Sequence, residues 1–184
     1  MPLEKLQPTQ EAAFEQIMRE YGTRVLRLVT FLVKDRSLAE DLTQDVFVKV
    51  YRNLPRFRHE SSMNTWLYRI AVNECKGYLR SWSVRHILPQ SWIRDESDVS
   101  AERLVMEQAE RDQLVQAVMA LPPAHRQVIS LHYYADLSMA EMAEVLGIKE
   151  GAVRTRLHRA RQHLKQRLGE EGAWEWSKTN GWNS

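Results

Sequence analysis

The sequence predicts an all-α protein: two small helical domains joined by a flexible acidic linker, the C-terminal one containing a helix-turn-helix. Three observations lead there. Apolar residues recur at spacings of three and four along most of the chain. Pro, Gly and N-capping residues fall at the ends of those periodic segments. The periodicity lapses once, near Ser83, in a stretch that holds seven acids (Asp95, Glu96, Asp98, Glu102, Glu107, Glu110, Asp112) against three arginines. No segment alternates as a strand and no repeat is visible, and 184 residues of which 43% are hydrophobic suffice for two small cores.

In the N-terminal unit, Phe14, Ile17, Met18, Tyr21, Val25, Leu28, Val29 and Leu32 keep a helical period over several turns, predicting one long amphipathic helix. A second helix is expected from Ser37, with Glu40 three residues on as the other half of a capping box, until Pro55 stops it. Its apolar stripe is Leu38, Leu42, Val46, Val50 and Leu54; Asp41, Gln44 and Asp45 lie elsewhere on its surface, where plain solvation and a partner surface explain them equally well. A polar loop with Arg56, Arg58 and His59 then opens onto a third helix carrying Trp66 and Ile70, with Arg69, Lys76 and Arg80 on other faces. Interleaved rings and cations suit single-stranded nucleic acid, and a loop at a helix N-terminus suits anions and an extruded base. For Trp66 itself, packing is the commoner role of such a residue.

Beyond the linker, helical spacing resumes at Leu104, passes through Leu114, Ala117, Val118 and Leu121, is interrupted at Pro122-Pro123, and restarts over HRQVISLHYYADL. Ser138 and Glu141 then form a capping box, Gly147 allows the left-handed backbone that closes a helix, and Ile148-Lys149 leaves room for a short turn only. In the helix from Glu150, Val153, Leu157, Ala160, Leu164 and Leu168 form the apolar stripe, while Thr155, Arg159 and Gln162 point away and Arg154 and His158 border it. From Lys149 to Arg167 seven Lys/Arg stand against one Glu, a density that a phosphate backbone rewards through counterion release. A basic helix alone is as often a solvated face; the short turn, the glycine and the capped preceding helix favour DNA.

Composition removes several function classes. The formal net charge is only +2, so the basic helix is a local feature. One cysteine, Cys75, excludes an internal disulfide or a Cys-rich zinc site and fits a reducing cytoplasm. No signal peptide is visible in MPLEKLQPTQEAAFEQ, and no run approaches the roughly 18 apolar residues of a membrane span. The histidines at 59, 86, 125, 132, 158 and 163 make no metal-ligand pattern and the seven glycines no phosphate-cradling loop, so neither catalysis, metal nor cofactor is expected.

The string AEDLTQDVFVKVYRNLPRFRHESSMNTWLYRIAVN and, after the linker, LPPAHRQVISLHYYADLSMAEMAEVLGIKEGAVRTRLHRARQHLKQRL resemble a bacterial extracytoplasmic-function sigma factor of the sigma-70 superfamily over residues 14–168. The resemblance implies a region 2 domain over residues 10–82, a linker over 83–108, a region 4 domain over 109–169 and a tail over 170–184. It implies that Asp41, Gln44 and Asp45 dock on the β′ coiled coil of core RNA polymerase. Arg58, His59, Glu60, Ser61, Ser62, Met63, Asn64, Arg69, Asn73 and Lys76 would engage the melted minus-10 element and a flipped base. Lys149, Arg154, Thr155, His158 and Arg159 would contact the minus-35 element, where an arginine on guanine is worth about 1–3 kcal/mol of discrimination. The partners implied are core polymerase (β′ and β), promoter DNA and a separate anti-sigma factor, often membrane-bound, with the sigma factor itself cytoplasmic and not inserted in the membrane. The acidic linker would thread the RNA exit channel.

Three positions depart from the family's habit: His59 where Gly is frequent, Met63 where Phe is frequent, and Gly77 where a polar or acidic residue is frequent. Glycine inside a helix costs about 1 kcal/mol relative to alanine, so Gly77 marks either a close contact or a local weakness. The tail, with Trp174, Trp176 and Trp182, suits a partner anchor or a lightly packed extension equally. A competing function is a free-standing helix-turn-helix regulator that binds its operator without polymerase.

Overall fold

The computed structural model describes the backbone of residues 9–85 and 107–179 and the side chains of 9–81 and 113–169. Among the described residues all regular structure is helical: α1 (Gln10–Val33), α2 (Arg36–Asn53), a 3-10 turn (Leu54–Arg56), α3 (Met63–Arg85), α4 (Glu107–Met119), α5 (Pro123–Tyr133), α6 (Met139–Leu146) and α7 (Glu150–Thr179). Helices α1 to α3 pack on one another, α4 to α7 form a second group, and the two groups meet where α1 touches α5 and α3 touches α6. The expected linker falls largely outside the described residues, as does the side-chain packing of the three tail tryptophans; the backbone of α7 breaks at Gly169, φ 73°.

The long first helix forms as expected. The Thr9 hydroxyl accepts the Ala12 N–H at 3.3 Å, and Ile17, Val25, Leu28, Val29 and Leu32 bury one side. Helix α2 begins earlier than expected and with a different cap. Lys34 turns left-handed at φ 61° and Asp35 is extended, which aims the Asp35 carboxylate at the Leu38 N–H, 2.9 Å away. An aspartate caps as well as a serine and adds favourable charge at the positive end of the helix. Ser37 therefore sits inside the helix, and Glu40 pairs with Arg36 at 3.2 Å instead of closing a box. In α3, Leu67, Tyr68, Ala71, Val72 and Cys75 are buried. Burial pushes the Cys75 thiol up to about 12, leaving it a packing residue rather than a nucleophile. At Gly77 an added Cβ would meet no atom within 4 Å, so the close-contact explanation fails and only the propensity penalty remains.

In the second group Arg126 is buried and spans the α4–α5 turn, donating to the Met119 carbonyl at 3.0 Å and the Leu121 carbonyl at 2.8 Å, which satisfies carbonyls that the end of α4 leaves open. Helix α6 carries both halves of the expected box. The Glu141 N–H reaches the Ser138 hydroxyl at 3.3 Å and the Ser138 N–H reaches the Glu141 carboxylate at 3.0 Å. Gly147 closes α6 at φ 68°, its N–H on the Ala143 carbonyl at 2.9 Å. Because nothing lies within 4 Å of a Cβ added there, Gly147→Ala would suffer from backbone strain alone. It is expected to destabilise the C-terminal helices by about 1–2 kcal/mol, read from urea unfolding of the full chain.

Candidate nucleic-acid interface

Helix α7 presents the stripe read from the sequence: Val153, Leu157, Ala160 and Leu164 are buried, while Lys149, Arg154, Thr155, His158 and Arg159 are all exposed. Two of these are held locally. Arg154 pairs with Glu150 at 3.0 Å, one turn back, and the Thr155 hydroxyl donates to the Gly151 carbonyl at 2.9 Å. The flank is also basic. The His125 and His163 rings stand 5.2 Å apart, and His125 is held below the ordinary histidine value by burial first and then by His163, Arg159 and Arg156.

The second candidate region surrounds the start of α3. Pro55, Arg56, Phe57, Arg58, Glu60, Ser61, Trp66 and Arg69 line a pocket of about 670 Å³. The Phe57 and Trp66 rings, 4.9 Å apart, supply its aromatic wall, and three arginines its charge. Of the minus-10 residues expected from the sequence, Arg58, Glu60, Ser61 and Arg69 line this pocket; Arg58 and Glu60 approach to 3.9 Å. The His59 ring lies tilted against Phe57, centroids 4.5 Å apart, and its backbone has φ 56°. That left-handed backbone favours glycine, so the histidine carries a strain at this position that a glycine would not. Met63 packs on the core rather than into the pocket, and Asn73 is exposed on α3. Phe57 has no periodic partner in the sequence; its isolation in an otherwise polar loop was the signal available.

Ser62, Asn64 and Lys76 face the second group of helices, and Arg69, which also lines the pocket, reaches it too. The Asn64 amide donates to the Ala135 carbonyl at 2.9 Å, Arg69 pairs with Glu144 at 2.8 Å, and the Lys76 ammonium donates to the Leu146 carbonyl at 3.2 Å. The Ser62 and Thr65 hydroxyls both reach the Glu141 carboxylate, at 3.1 and 2.9 Å. Burial, then Arg156 and Arg80, lowers the Lys76 ammonium from its usual value, while the Ser138 N–H is the largest of the groups that hold the Glu141 carboxyl low. Phe31 stacks on Tyr134, ring centroids 4.7 Å apart, at the α1–α5 contact.

On α2, Asp41, Gln44 and Asp45 are all exposed. Gln44 lies on a groove between α1 and α2 that is also lined by Phe14, Met18, Leu26, Phe47, Val48 and Tyr51. Met18, Val48 and Tyr51 are 44, 46 and 36% exposed, so three of the four large apolar side chains left open among the described residues gather in one place. Val48 and Tyr51 sit off the buried stripe of α2, the feature that could have marked them in the sequence.

Residues 17–83 match the family description Sigma-70 region 2, and residues 111–164 match Sigma-70, region 4. The chain is similar to the RNA polymerase sigma-H factor of Pseudomonas aeruginosa, 31% identical over 178 residues, covering 90% of this chain and 91% of that protein. It is 31% identical over 166 residues to the ECF RNA polymerase sigma factor SigW of Bacillus subtilis, covering 85% of this chain and 89% of that protein. Against the ECF RNA polymerase sigma-E factor of Escherichia coli K12 it is 31% identical over 184 residues, covering 90 and 92%. Among solved structures, the fold resembles the sigma factor RpoE in complex with the anti-sigma factor NepR from Bartonella quintana: TM-score 0.70, 23% identity, 86% of this chain and 98% of that one. With both regions matched and such identity over most of its length, the chain belongs to the extracytoplasmic-function sigma factors of the sigma-70 family: it binds core RNA polymerase and directs promoter-specific initiation of transcription.

Proposed function

We propose that three surfaces divide this work. Asp41, Gln44 and Asp45 on α2, with the apolar groove beside them, take the β′ coiled coil of core polymerase; exposed apolar side chains gathered beside acids fit a helical partner. The pocket at the start of α3 receives a base extruded from the melted minus-10 strand, stacked against Trp66 and Phe57, with Arg56, Arg58 and Arg69 near its phosphates. The exposed face of α7, with Lys149, Arg154, Thr155, His158 and Arg159, lies in the major groove of the minus-35 element. The observation that carries this reading is the aromatic and arginine pocket in a different domain from the basic recognition helix: a lone operator-binding protein has no use for a single-strand site.

The chain itself performs no catalysis in this reading, since polymerase makes the bonds, and it works in the cytoplasm; none of its described helices is long and apolar enough to cross a membrane. A separate anti-sigma protein restrains it by covering its polymerase-binding faces. Run-off transcription with and without core polymerase tests the reading: promoter-specific product is expected only with core, and tight specific DNA binding without core would favour the free-standing regulator. Within that assay Arg159→Ala is expected to lower transcription from minus-35-dependent promoters by about 5- to 150-fold, the loss of roughly 1–3 kcal/mol, with core binding unchanged. Loss of core binding instead would contradict the assignment of α7.

A further inference from the structure

The flank of α7 carries a pair of imidazoles that lie outside the recognition face. We propose that His125, His163 and Arg159 together hold one backbone phosphate of the minus-35 duplex, and that this hold takes up a proton at His125. The inference rests on the placement of α7 in the major groove given above.

Two helices bring the cluster together. His163 follows Arg159 by one turn of α7, and both are exposed. His125 is the third residue of α5, which packs on α7, and its ring centroid lies 5.2 Å from that of His163. Helix α5 starts on Pro122-Pro123 with no side-chain cap, so the partial positive charge of its first turn adds to the cluster. The charged and titratable groups that face His125 are His163, Arg159 and Arg156, all from α7, with no carboxylate among them. Charges on the other helices packed against α5 are engaged elsewhere: Glu141 and Glu144 of α6 reach α3, and Arg27 of α1 lies beside Tyr134. The neighbouring Arg126 is turned inward onto the Met119 and Leu121 carbonyls.

A helix lying in the major groove has the phosphates of the groove's edges on its flanks, and guanidinium and imidazolium N–H groups donate to their oxygens. The free chain offers His125 no such acceptor. Its Nδ1 atom is buried without a hydrogen-bond partner, and burial first, then His163, Arg159 and Arg156, hold the ring below the ordinary histidine value. A phosphate within about 4–6 Å of the ring opposes that field and favours its charged form. His125 is therefore less protonated free than bound between its free and its bound pKa, so binding takes up a proton in that window and affinity rises as the pH falls through it. Below the free value both forms are protonated and affinity levels off. Each pKa unit by which the phosphate raises the ring is worth about tenfold in affinity across the window.

The test uses the full chain assembled with core polymerase and a fluorescein-labelled duplex carrying the minus-35 element, with binding read by anisotropy at constant ionic strength. The parent should bind about tenfold more tightly near pH 6 than near pH 8, and the slope of log affinity against log salt should steepen by about one at the lower pH, as one more phosphate is neutralised. His125→Gln should remove both effects and keep the parent's helix content by circular dichroism. His163→Gln should weaken binding near pH 6 by about 2- to 5-fold, the loss of one hydrogen bond, and leave a pH dependence in place. A direct measurement needs no variant: by NMR of the full chain, the His125 ring should titrate at higher pH with saturating duplex than without it. The proposal is overturned if His125→Gln keeps the parent's pH dependence, if His163→Gln binds as the parent does, or if the His125 ring titrates at the same pH with and without duplex. A parent holoenzyme that fails at every pH to distinguish the minus-35 element from a scrambled one would instead remove α7 from the groove, so that the two failures are told apart.

Discussion

Trp66→Ala is expected to cut promoter-directed run-off transcription by about 5- to 150-fold while assembly with core polymerase is retained. Stacking a base on an aromatic side chain is worth about 1–3 kcal/mol, and that is the contribution the substitution removes. Trp66 is half-buried: part of its indole packs on the core, and its ring faces Phe57 at 4.9 Å on the wall of the pocket. Truncation therefore also opens a void, and a folding defect could imitate a binding defect. Trp66→Phe separates the two, because it keeps a π-face and most of the packing. If the pocket takes a base, Trp66→Phe should recover most of the activity on a promoter whose minus-10 region is already unpaired, whereas Trp66→Ala should stay low there. Equal activity of both variants on the pre-melted template would remove the indole from DNA recognition.

What could be read in the sequence, and what could not, follows from the range of the interactions concerned. The box of Ser138 with Glu141 and the left-handed close at Gly147 involve neighbours three or four residues apart, so residue types at fixed spacing suffice to place them. The stripe Val153, Leu157, Ala160, Leu164 is likewise a matter of helical period. The start of α2 differs from the expected one because Ser37 and Glu40 have the spacing of a capping box, while Asp35, two residues earlier, has the extended backbone and the carboxylate that cap the helix. That choice depends on the turn at Lys34, which residue types alone do not reveal.

The candidate sites divide in the same way. That the loop before α3 was a place to look is apparent from its arginines and its position at a helix start, but the partnership of Phe57 with Trp66 requires knowing that the 3-10 turn folds the loop back on the helix. Grip between α3 and α6 joins residues 70 to 79 positions apart and has no local signature. Glu141 shows the difficulty most clearly. Its spacing from Ser138 accounts for the residue fully, and so hides the second use of the same carboxylate on Ser62 and Thr65.

Leu157→Ala should destabilise the C-terminal helices by about 2–5 kcal/mol and abolish minus-35-dependent transcription. Leu157 is 1% exposed in the middle of the buried stripe of α7, the helix that packs on α5 and α6, so truncation leaves a cavity in the core. For a domain of this size a loss of that order is much of the whole stability. Val25, Leu28, Val46, Leu67 and Val72 are buried in the N-terminal helices, which should stay folded and bind core polymerase. Calorimetry should then show the C-terminal transition moved to lower temperature and the N-terminal one retained, in contrast to Arg159→Ala, which lowers transcription without moving either. One shared transition, shifted as a unit, would mean that the contacts of α3 with α6 and of Phe31 with Tyr134 bind the two groups into a single cooperative body.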